Sequence, residues 1–498
     1  MSKLTLLVLC AWLAATPLAA QISSKSRHLI RPTHPELQYV GRWDFSDPKA
    51  PECGWQGSAL RLRFTGTALS AELSSGSAQE YFRVVVDGDY AGSEKIAVSG
   101  QASYLLAQGM SPGVHLVELV KETYEGTSCS FHGLELIGSG MQPQPPRPQR
   151  KIEFYGDSNL AGYSLEHEEN KGGAKLIGTT LGYAGITARM FDAEYHNISV
   201  SGATLQWLNK RFDRIDRYDI NSTWDFSLYE PELVVMNLGA NNVGSSKSSI
   251  KSKYHAFLDD LRQVHPTAHI MLYNSWGWDY NETANYTHEV IMERGDPNMS
   301  SAIFPWLFPE WHGCEYDHAG MAEYLAQHLE SQLGWTRSQP TDVMCGYGLS
   351  GNLANGSFEE CAPFGGYGWR YFDRAGVERI EDPAGAHDGN HFVRLTSESI
   401  YQPNPAVNGD TLRLDVWLRA QQSGKKVDLT IDFRDQKMWT QPLFEQTERK
   451  ILSTTWQLYS ITASAPPVTS MPIFHTRFTL RSVGNAVVDV DAATMTHL

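Results

Sequence analysis

Apolar and polar residues alternate through the first part of the chain. Between residues 27 and 140, short runs with a period of two end at turn residues, as at residues 60–64, 71–73 and 81–86. Alternation of this kind is typical of strands that have one buried face. The pattern therefore predicts an N-terminal β-sandwich over residues 27–140.

The pattern changes after a stiff, proline-rich stretch at residues 142–148. Between residues 150 and 337, continuous apolar runs alternate with segments that have helical spacing. Four of the apolar runs predict buried strands, at residues 152–155, 194–199, 233–238 and 269–274. Strands that alternate with helices are typical of a parallel sheet covered by helices. We therefore expect an α/β domain over residues 150–337.

A second β-rich region follows, over residues 350–498. Its clearest runs, at residues 412–418 and 427–433, again alternate apolar and polar side chains. The chain is too long for one hydrophobic core. The three regions are therefore expected to be separate domains, and the expected fold class is multidomain α/β plus β.

Residues 1–20 have the pattern of a secretory signal peptide. Lys3 precedes an apolar run at residues 4–13, and two alanines at residues 19–20 precede a polar segment. No later apolar stretch is long enough to span a bilayer. We expect a soluble protein that is secreted or periplasmic and has no membrane span.

Charge narrows the range of partners. The net charge is −15 at pH 7, and no run of basic residues offsets it. A negative surface disfavours nucleic acid and anionic membranes, which leaves neutral polymers or small molecules. The 14 tryptophans fit this expectation, because flat aromatic rings pack against the apolar faces of sugars.

The cysteines fit an exported protein, in which disulfides are permitted. Of the six cysteines, Cys10 would leave with the signal peptide, so one thiol must stay unpaired. Pairs that lie within one predicted domain are Cys53 with Cys129 and Cys345 with Cys361, although the sequence leaves the connectivity open. None of the spacings resembles a zinc site.

Residues with catalytic potential stand where the predicted strands end. Ser158 follows the first strand in a Gly-Asp-Ser turn, Gly202 follows the second, and Asn241 follows the third. His318 precedes a segment of helical spacing near the end of the domain. Ligands of parallel sheets bind outside the carboxyl ends of the strands, so these residues are expected to meet at one site.

The four residue types match acyl transfer to serine. This reaction needs a nucleophile, a base that takes its proton, and donors that face the oxygen that becomes negative. We predict Ser158 as the nucleophile and His318 as the base. The backbone N–H of Gly202 and the side-chain amide of Asn241 are predicted as the oxyanion donors. Singly, each has an ordinary explanation as a turn residue, a helix cap or a surface histidine, but their joint order favours catalysis.

The same residues resemble four sequence blocks of the SGNH (GDSL-type) hydrolases. Blocks one, two, three and five are resembled, in that order, by Gly156-Asp157-Ser158-Asn159, Gly202, Gly239-Ala240-Asn241-Asn242 and Glu315-Tyr316-Asp317-His318. Residues 133–136, 151–158, 183–189 and 313–314 more narrowly resemble carbohydrate esterase family two. That resemblance implies an N-terminal jelly-roll β-sandwich joined to a flavodoxin-like SGNH hydrolase domain. It also implies removal of acetyl groups from xylan-type polysaccharides, and we expect no catalytic cofactor.

Three groups are alternatives for orienting His318. The resemblance implies an acid two or three residues before the histidine, where Glu315 stands. Asp317 is adjacent to the histidine, so its side chain is expected to point away. We predict Glu315 for this role, with Asp317 or a backbone carbonyl as the alternatives.

Two further features concern binding. Trp276 and Trp278 follow the fourth predicted strand and are predicted to form an aromatic wall for substrate, with core packing as the alternative. The C-terminal region resembles a carbohydrate-binding β-sandwich of the family-four type. Its segments His387-Asp388-Gly389-Asn390 and Asp489-Val490-Asp491 are expected to hold a structural calcium or to be solvated turns.

The function expected from the sequence is an exported serine esterase. It would remove O-acetyl groups from xylan or a related hemicellulose through an acyl-enzyme on Ser158, with an acetylated polysaccharide or oligosaccharide as its partner. One alternative is a lipid or aryl esterase of the same superfamily. The other is a non-catalytic sugar-binding protein on a hydrolase scaffold, which the presence of Ser158, Asn241 and His318 disfavours.

Overall fold

The computed structural model describes residues 26–498 apart from short segments and single positions. The exceptions are residues 77–78, 125–127, 168–172, 243, 276–285, 305–311, 343–352, 363–364, 367, 372–373, 436–440, 471–472 and 474. The predicted signal peptide, Trp276 and Trp278 lie outside the described residues. Among the helices that are described, none combines the length and the apolar character that crossing a membrane requires.

The N-terminal region contains nine strands in one hydrogen-bonded sheet. They are β1 (Ser26–Ile30), β2 (Gln38–Val40), β3 (Trp43–Asp44), β4 (Glu52–Cys53), β5 (Ala59–Ser75), β6 (Glu80–Val86), β7 (Glu94–Val98), β8 (Ala102–Lys121) and β9 (Cys129–Gln142). Their order is β3-β4-β9-β5-β8-β6-β7, with β1 beside β9 and β2 beside β5.

The long strand β5 contains two of the runs that the sequence indicates as separate strands, residues 60–64 and 71–73. Its register against β8 and β9 shifts near Gly66. Such a bulge adds a residue to one strand, so the alternation of buried and exposed side chains changes phase there. The sequence pattern breaks at the bulge, although the strand continues through it.

A parallel sheet of five strands forms the centre of the α/β region. Its strands are β10 (Arg150–Gly156), β11 (Ala193–Ser199), β12 (Leu233–Asn237), β13 (His269–Ser275) and β14 (Met299–Phe304), in the order β11-β10-β12-β13-β14. The helices are α1 (Tyr183–Met190), α2 (Leu205–Asn209), α3 (Lys247–Val264), α4 (Tyr286–Arg294) and α5 (Glu315–Leu333).

Alternate side chains of the central strands enter two apolar cores. Val235 and Met271 pack on one face with α1 and α5, whereas Val234 and Met236 pack on the other with α2, α3 and α4. Burial on both faces explains the continuous apolar runs that predict β10 to β13. The sequence does not predict β14, because this strand is at the edge of the described sheet, beside β13, and is interrupted by two serines, at residues 300–301.

The described part of the C-terminal region contains two larger antiparallel sheets that share one apolar core, and a separate two-stranded sheet of β15 and β16. One sheet has the order β17-β18-β25-β20-β23, and the other has the order β19-β24-β21-β22. The strands are β15 (Cys361–Ala362), β16 (Gly365–Gly366), β17 (Val377–Glu381), β18 (His391–Thr396), β19 (Ser399–Pro405), β20 (Thr411–Ala420), β21 (Lys426–Arg434), β22 (Phe444–Ile451), β23 (Gln457–Ser464), β24 (His475–Ser482) and β25 (Val487–His497).

The cysteine pairs have different outcomes. Cys53 and Cys129 are direct neighbours across β4 and β9, but both are buried free thiols. The predicted partners are therefore adjacent, while the structure does not contain the disulfide. Cys345 lies outside the described residues, and Cys314 is a buried free thiol.

Candidate active site

Ser158 stands directly beyond the carboxyl end of β10. The chain turns at once, since the N–H of Ala161 donates to the Asp157 carbonyl oxygen at 2.9 Å and that of Tyr163 donates to the Ser158 carbonyl oxygen at 3.0 Å. A Cβ on Gly156 would lie 2.6 Å from the Leu160 side chain, so glycine is needed for this close turn. The turn holds Ser158, which is 8% exposed, at the end of the sheet.

His312 is the histidine that contacts the serine. Its Nε2 lies 2.9 Å from Ser158 Oγ, and its ring packs 4.7 Å from that of Tyr163. The sequence analysis does not identify His312. The structure thus corrects the predicted base, because His318 has other partners.

His318 lies in the first turn of α5 and is fully engaged there. Its Nδ1 accepts the N–H of Tyr183 at 3.2 Å, and its Nε2 lies 2.8 Å from the His312 carbonyl oxygen. A nitrogen that accepts from an amide carries no proton, so Nε2 carries it and donates to the carbonyl. His318 is therefore the neutral support of His312 rather than the partner of Ser158.

The start of α5 explains why the sequence pattern does not indicate His312. Cys314 is the N-cap, and its backbone N–H donates to Asp317 Oδ2 at 2.9 Å, as in a capping box. Acidic residues at 315 and 317 stabilise the first turn of the helix. Acidic residues in a first helical turn are a sequence signal for a helix that starts at Glu315. A helix that starts there leaves His312 on the preceding loop.

The contacts of Asp317 differ from the role that the sequence analysis considered, and the role predicted for Glu315 depended on His318 as the base. Asp317 caps the helix and forms a buried ion pair of 2.5 Å with Arg370 of the C-terminal region. Glu315 is buried at the first position of α5. Its predicted role was to orient His318 toward Ser158, and the two ring nitrogens of His318 are already bound by backbone groups. The prediction for Glu315 is thereby corrected together with that for His318.

The pKa values of the histidines suit a base and its support. Burial, and to a smaller extent the neighbouring His318, lowers the pKa of His312 to about 4. Burial also lowers the pKa of His318 to about 4. Both rings are neutral at neutral pH, so His312 can accept a proton from Ser158.

The predicted oxyanion donors lie on the two neighbouring loops. Asn241 Nδ2 donates to the Ala203 carbonyl oxygen at 3.1 Å and to Asp157 Oδ2 at 3.4 Å. Gly202 has a φ of +79°, and open space lies where a Cβ would stand. The hydrogen bonds of Asn241 join the loops after β10, β11 and β12, which brings Ser158, Gly202 and Asn241 to one end of the sheet.

Two buried side chains fix these loops. Asn242 Oδ1 accepts the N–H of Leu205 at 3.0 Å, which ties the loop after β12 to the start of α2. Asp157 accepts the N–H of Asn159 at 3.2 Å, and burial raises the pKa of Asp157 to about 7. Asp157 is thus a carboxyl group that can change charge near neutral pH, one residue before Ser158.

The N-terminal region also supports the site, through Glu122. This buried carboxylate accepts the N–H groups of Thr179 and Thr180 and pairs with Arg83 at 2.8 Å. The segment that it holds leads into α1, whose Tyr183 N–H binds His318. No local pattern indicates this contact, because Glu122 and Thr179 are 57 positions apart in the chain.

The acidic segments of the C-terminal region do not fit a calcium ion. Asp489 accepts from Arg394 Nε at 2.7 Å and from Arg419 Nε at 2.8 Å. Asp491 accepts the backbone N–H groups of residues 387 and 388. The carboxylates are thus neutralised by arginines or used to close a turn, and no cluster of metal ligands occurs within the described part of the chain. Of the two alternatives, these contacts favour the one in which the segments are turns.

Comparison with known proteins identifies the family. Residues 39–146 match the carbohydrate esterase 2 N-terminal family, and residues 154–311 match the GDSL-like lipase/acylhydrolase family. The chain is 32% identical over 330 residues to the cellulase/esterase CelE of Acetivibrio thermocellus, covering 61% of this chain but only 40% of that relative. It is 25% identical over 334 residues to an acetylxylan esterase / glucomannan deacetylase of Cellvibrio japonicus, covering 62% of this chain and 92% of that protein.

A solved structure agrees with these relatives. It is a family two carbohydrate esterase from Clostridium thermocellum in complex with cellohexaose, with 30% identity and a TM-score of 0.55. The match covers 60% of this chain and 99% of that one. The chain therefore belongs to carbohydrate esterase family two, whose members are carboxylic ester hydrolases with a GDSL-type domain.

Proposed function

We propose that the protein is an exported serine esterase that removes O-acetyl groups from xylan or a related hemicellulose. The observation that carries the proposal is the 2.9 Å contact between His312 Nε2 and Ser158 Oγ. A histidine that is neutral and in hydrogen-bond reach of a serine is the arrangement that activates the hydroxyl as a nucleophile.

The reaction follows from this contact in two steps. Ser158 Oγ attacks the acetyl carbonyl carbon while its proton passes to His312 Nε2. The negative oxygen that forms is stabilised by the Gly202 N–H and the Asn241 amide, and His312 then gives the proton to the departing sugar oxygen. Water next attacks the acetyl-enzyme with His312 as the base, which releases acetate and restores Ser158.

Two comparisons support a polysaccharide substrate. One relative is named an acetylxylan esterase / glucomannan deacetylase, and a family two esterase has been solved with cellohexaose. We propose that the two C-terminal sheets form a carbohydrate-binding β-sandwich, and that the strand order of the central sheet makes the catalytic domain flavodoxin-like.

Acetate release from a panel of acetylated polysaccharides tests the proposal, with Ser158→Ala as the control. We expect release from acetylated xylan or glucomannan by the wild type and none by the variant. A lipid or aryl esterase would hydrolyse long acyl or aryl esters while leaving the polymers acetylated. A protein that binds these polymers but hydrolyses no chromogenic acetyl ester would be the non-catalytic alternative.

A further inference from the structure

Arg370 of the C-terminal region is buried against the beginning of α5. Its Nη2 lies 2.5 Å from Asp317 Oδ1, and its Nη1 lies 2.5 Å from the Tyr316 hydroxyl and 3.5 Å from Cys314 Sγ. The guanidinium also lies over the Tyr316 ring, 4.8 Å from its centroid. One side chain of the C-terminal region thus contacts three of the residues that begin the last helix of the α/β region.

The contacts of Asp317 continue from Arg370 to the site. The other oxygen of Asp317 accepts the N–H of Cys314, whose carbonyl oxygen in turn accepts the N–H of His318 at 3.0 Å. His318 holds the carbonyl oxygen of His312 at 2.8 Å. Because every link is a hydrogen bond between buried or half-buried groups, the position of the His312 backbone depends on the turn that Asp317 closes.

The backbone of Arg370 is fixed by a residue of the C-terminal region that packs into the core of the α/β region. The N–H of Arg370 donates to the Tyr401 carbonyl oxygen at 2.8 Å. Tyr401 is 5% exposed and belongs to the apolar core formed by α1, α5 and the central sheet. Arg370 is therefore held on both sides. Its backbone is bound by Tyr401 of β19, and its side chain is bound by the first turn of α5.

From these contacts we infer that Arg370 is a positioning residue for the His312–Ser158 pair, and that the C-terminal region completes the active site. The inference rests on the proposed function, and it differs from the expectation that this region is a separate binding module. Arg370 neutralises Asp317 and fixes the direction of its carboxylate, so that the turn before α5 presents His312 to Ser158. Loss of this fork displaces the base without removing it.

Two variants of the full-length chain test the inference. Arg370→Met removes the charge and all the hydrogen bonds, whereas Arg370→Lys keeps the charge but loses the planar fork. The control is Arg449→Met, which breaks an Arg–Asp pair of 2.7 Å in the same region whose arginine side chain is 52% exposed. Rates are measured on a small, soluble acetyl ester, so that polymer binding does not contribute.

We expect kcat to fall by ~10–100-fold in Arg370→Met, and by less in Arg370→Lys, with KM little changed. The acid limb of kcat/KM should also move toward the ordinary histidine pKa, because a displaced His312 is better hydrated. Arg449→Met should behave as the wild type. A lower melting temperature with unchanged kcat and an unchanged pH profile in both Arg370 variants would overturn the inference.

The outcomes also separate this inference from the proposed function. If Arg370→Met does not fold, Arg370→Lys decides: a wild-type kcat and pH profile there would refute positioning. Activity retained by Ser158→Ala would refute the proposed function whatever Arg370 does. An inactive Ser158→Ala combined with wild-type Arg370 variants would refute the positioning role alone.

Discussion

His312 Nε2 and Ser158 Oγ lie 2.9 Å apart, although 154 positions separate the two residues in the chain. The serine is carried by the turn after β10, and the histidine is carried by the last residues before α5. The loop that carries His312 is fixed by His318, whose Nε2 binds the His312 carbonyl oxygen. The two histidines thus have different contacts: His312 faces the Ser158 hydroxyl, and His318 fixes the loop that carries His312.

Substitution of the two histidines should separate these roles. Ser158→Ala should abolish turnover, and His312→Ala should lower kcat by ~10,000-fold or more, since His312 Nε2 is the group placed to accept the serine proton. His318→Ala should cost only ~10–100-fold, because it loosens a support. Steady-state rates on a chromogenic acetyl ester would measure this order. A greater loss in His318→Ala than in His312→Ala would restore His318 as the base.

The pH profile should show a base that stays neutral in mild acid. His312 acts only when unprotonated, and its pKa is lowered to about 4. Activity should therefore persist as pH falls through the ordinary histidine range, and kcat/KM should decline only as pH approaches about 4. A separate inflection near pH 7 would come from Asp157 and should vanish in Asp157→Asn. An acid limb at the ordinary histidine pKa that survives in Asp157→Asn would contradict the assignment.

Asn241 and Asn242 form a matched pair for testing the oxyanion donors. Asn241→Ala should lower kcat by ~100–1,000-fold with KM little changed, because the donor acts on the charge of the transition state. Asn242→Ala removes the bond to the N–H of Leu205. It should lower the melting temperature more than kcat. Equal kinetic effects of the two substitutions would indicate that Asn241 has only a structural role.

The limits of the sequence analysis can be traced to particular residues. The strands β10 to β13 are predictable because both faces are buried, and Ser158 is predictable because a nucleophile at a strand end needs a tight turn. The sequence analysis predicts His318 and does not identify His312, because the two histidines are six positions apart and only the start of α5 at Glu315 separates the helix from the loop. The contacts of Glu122 and Arg370 join residues of different regions, so no local spacing could indicate them.

Glu122 offers a test of the contribution of the N-terminal region. Burial acts to raise the pKa of this carboxyl group, but the charges of Arg83 and Lys95 lower it overall, so it is ionised. Glu122→Gln would weaken the pair with Arg83 and place an amide donor near the N–H groups of Thr179 and Thr180. We expect a lower melting temperature and a loss in kcat of ~10-fold. The exposed Glu72→Gln is the control, and a wild-type result for both would exclude support from Glu122.

The two acids at the start of α5 provide the sharpest comparison of the expected and observed site. The sequence analysis predicts that Glu315→Gln is the more damaging change, because Glu315 would orient the base. In the structure, Asp317 binds both the N–H of Cys314 and the guanidinium of Arg370. Asp317→Asn leaves the Arg370 charge buried without its counter-charge, which is costly.

We therefore expect Asp317→Asn to reduce both kcat and the melting temperature more than Glu315→Gln does. The measurement is kcat on a soluble acetyl ester at constant pH, together with thermal unfolding of each variant. A larger kinetic loss in Glu315→Gln, with the melting temperature of the wild type, would mean that Glu315 acts on the base directly. A larger loss in Asp317→Asn would support a structural role for Asp317, which caps α5 and binds Arg370.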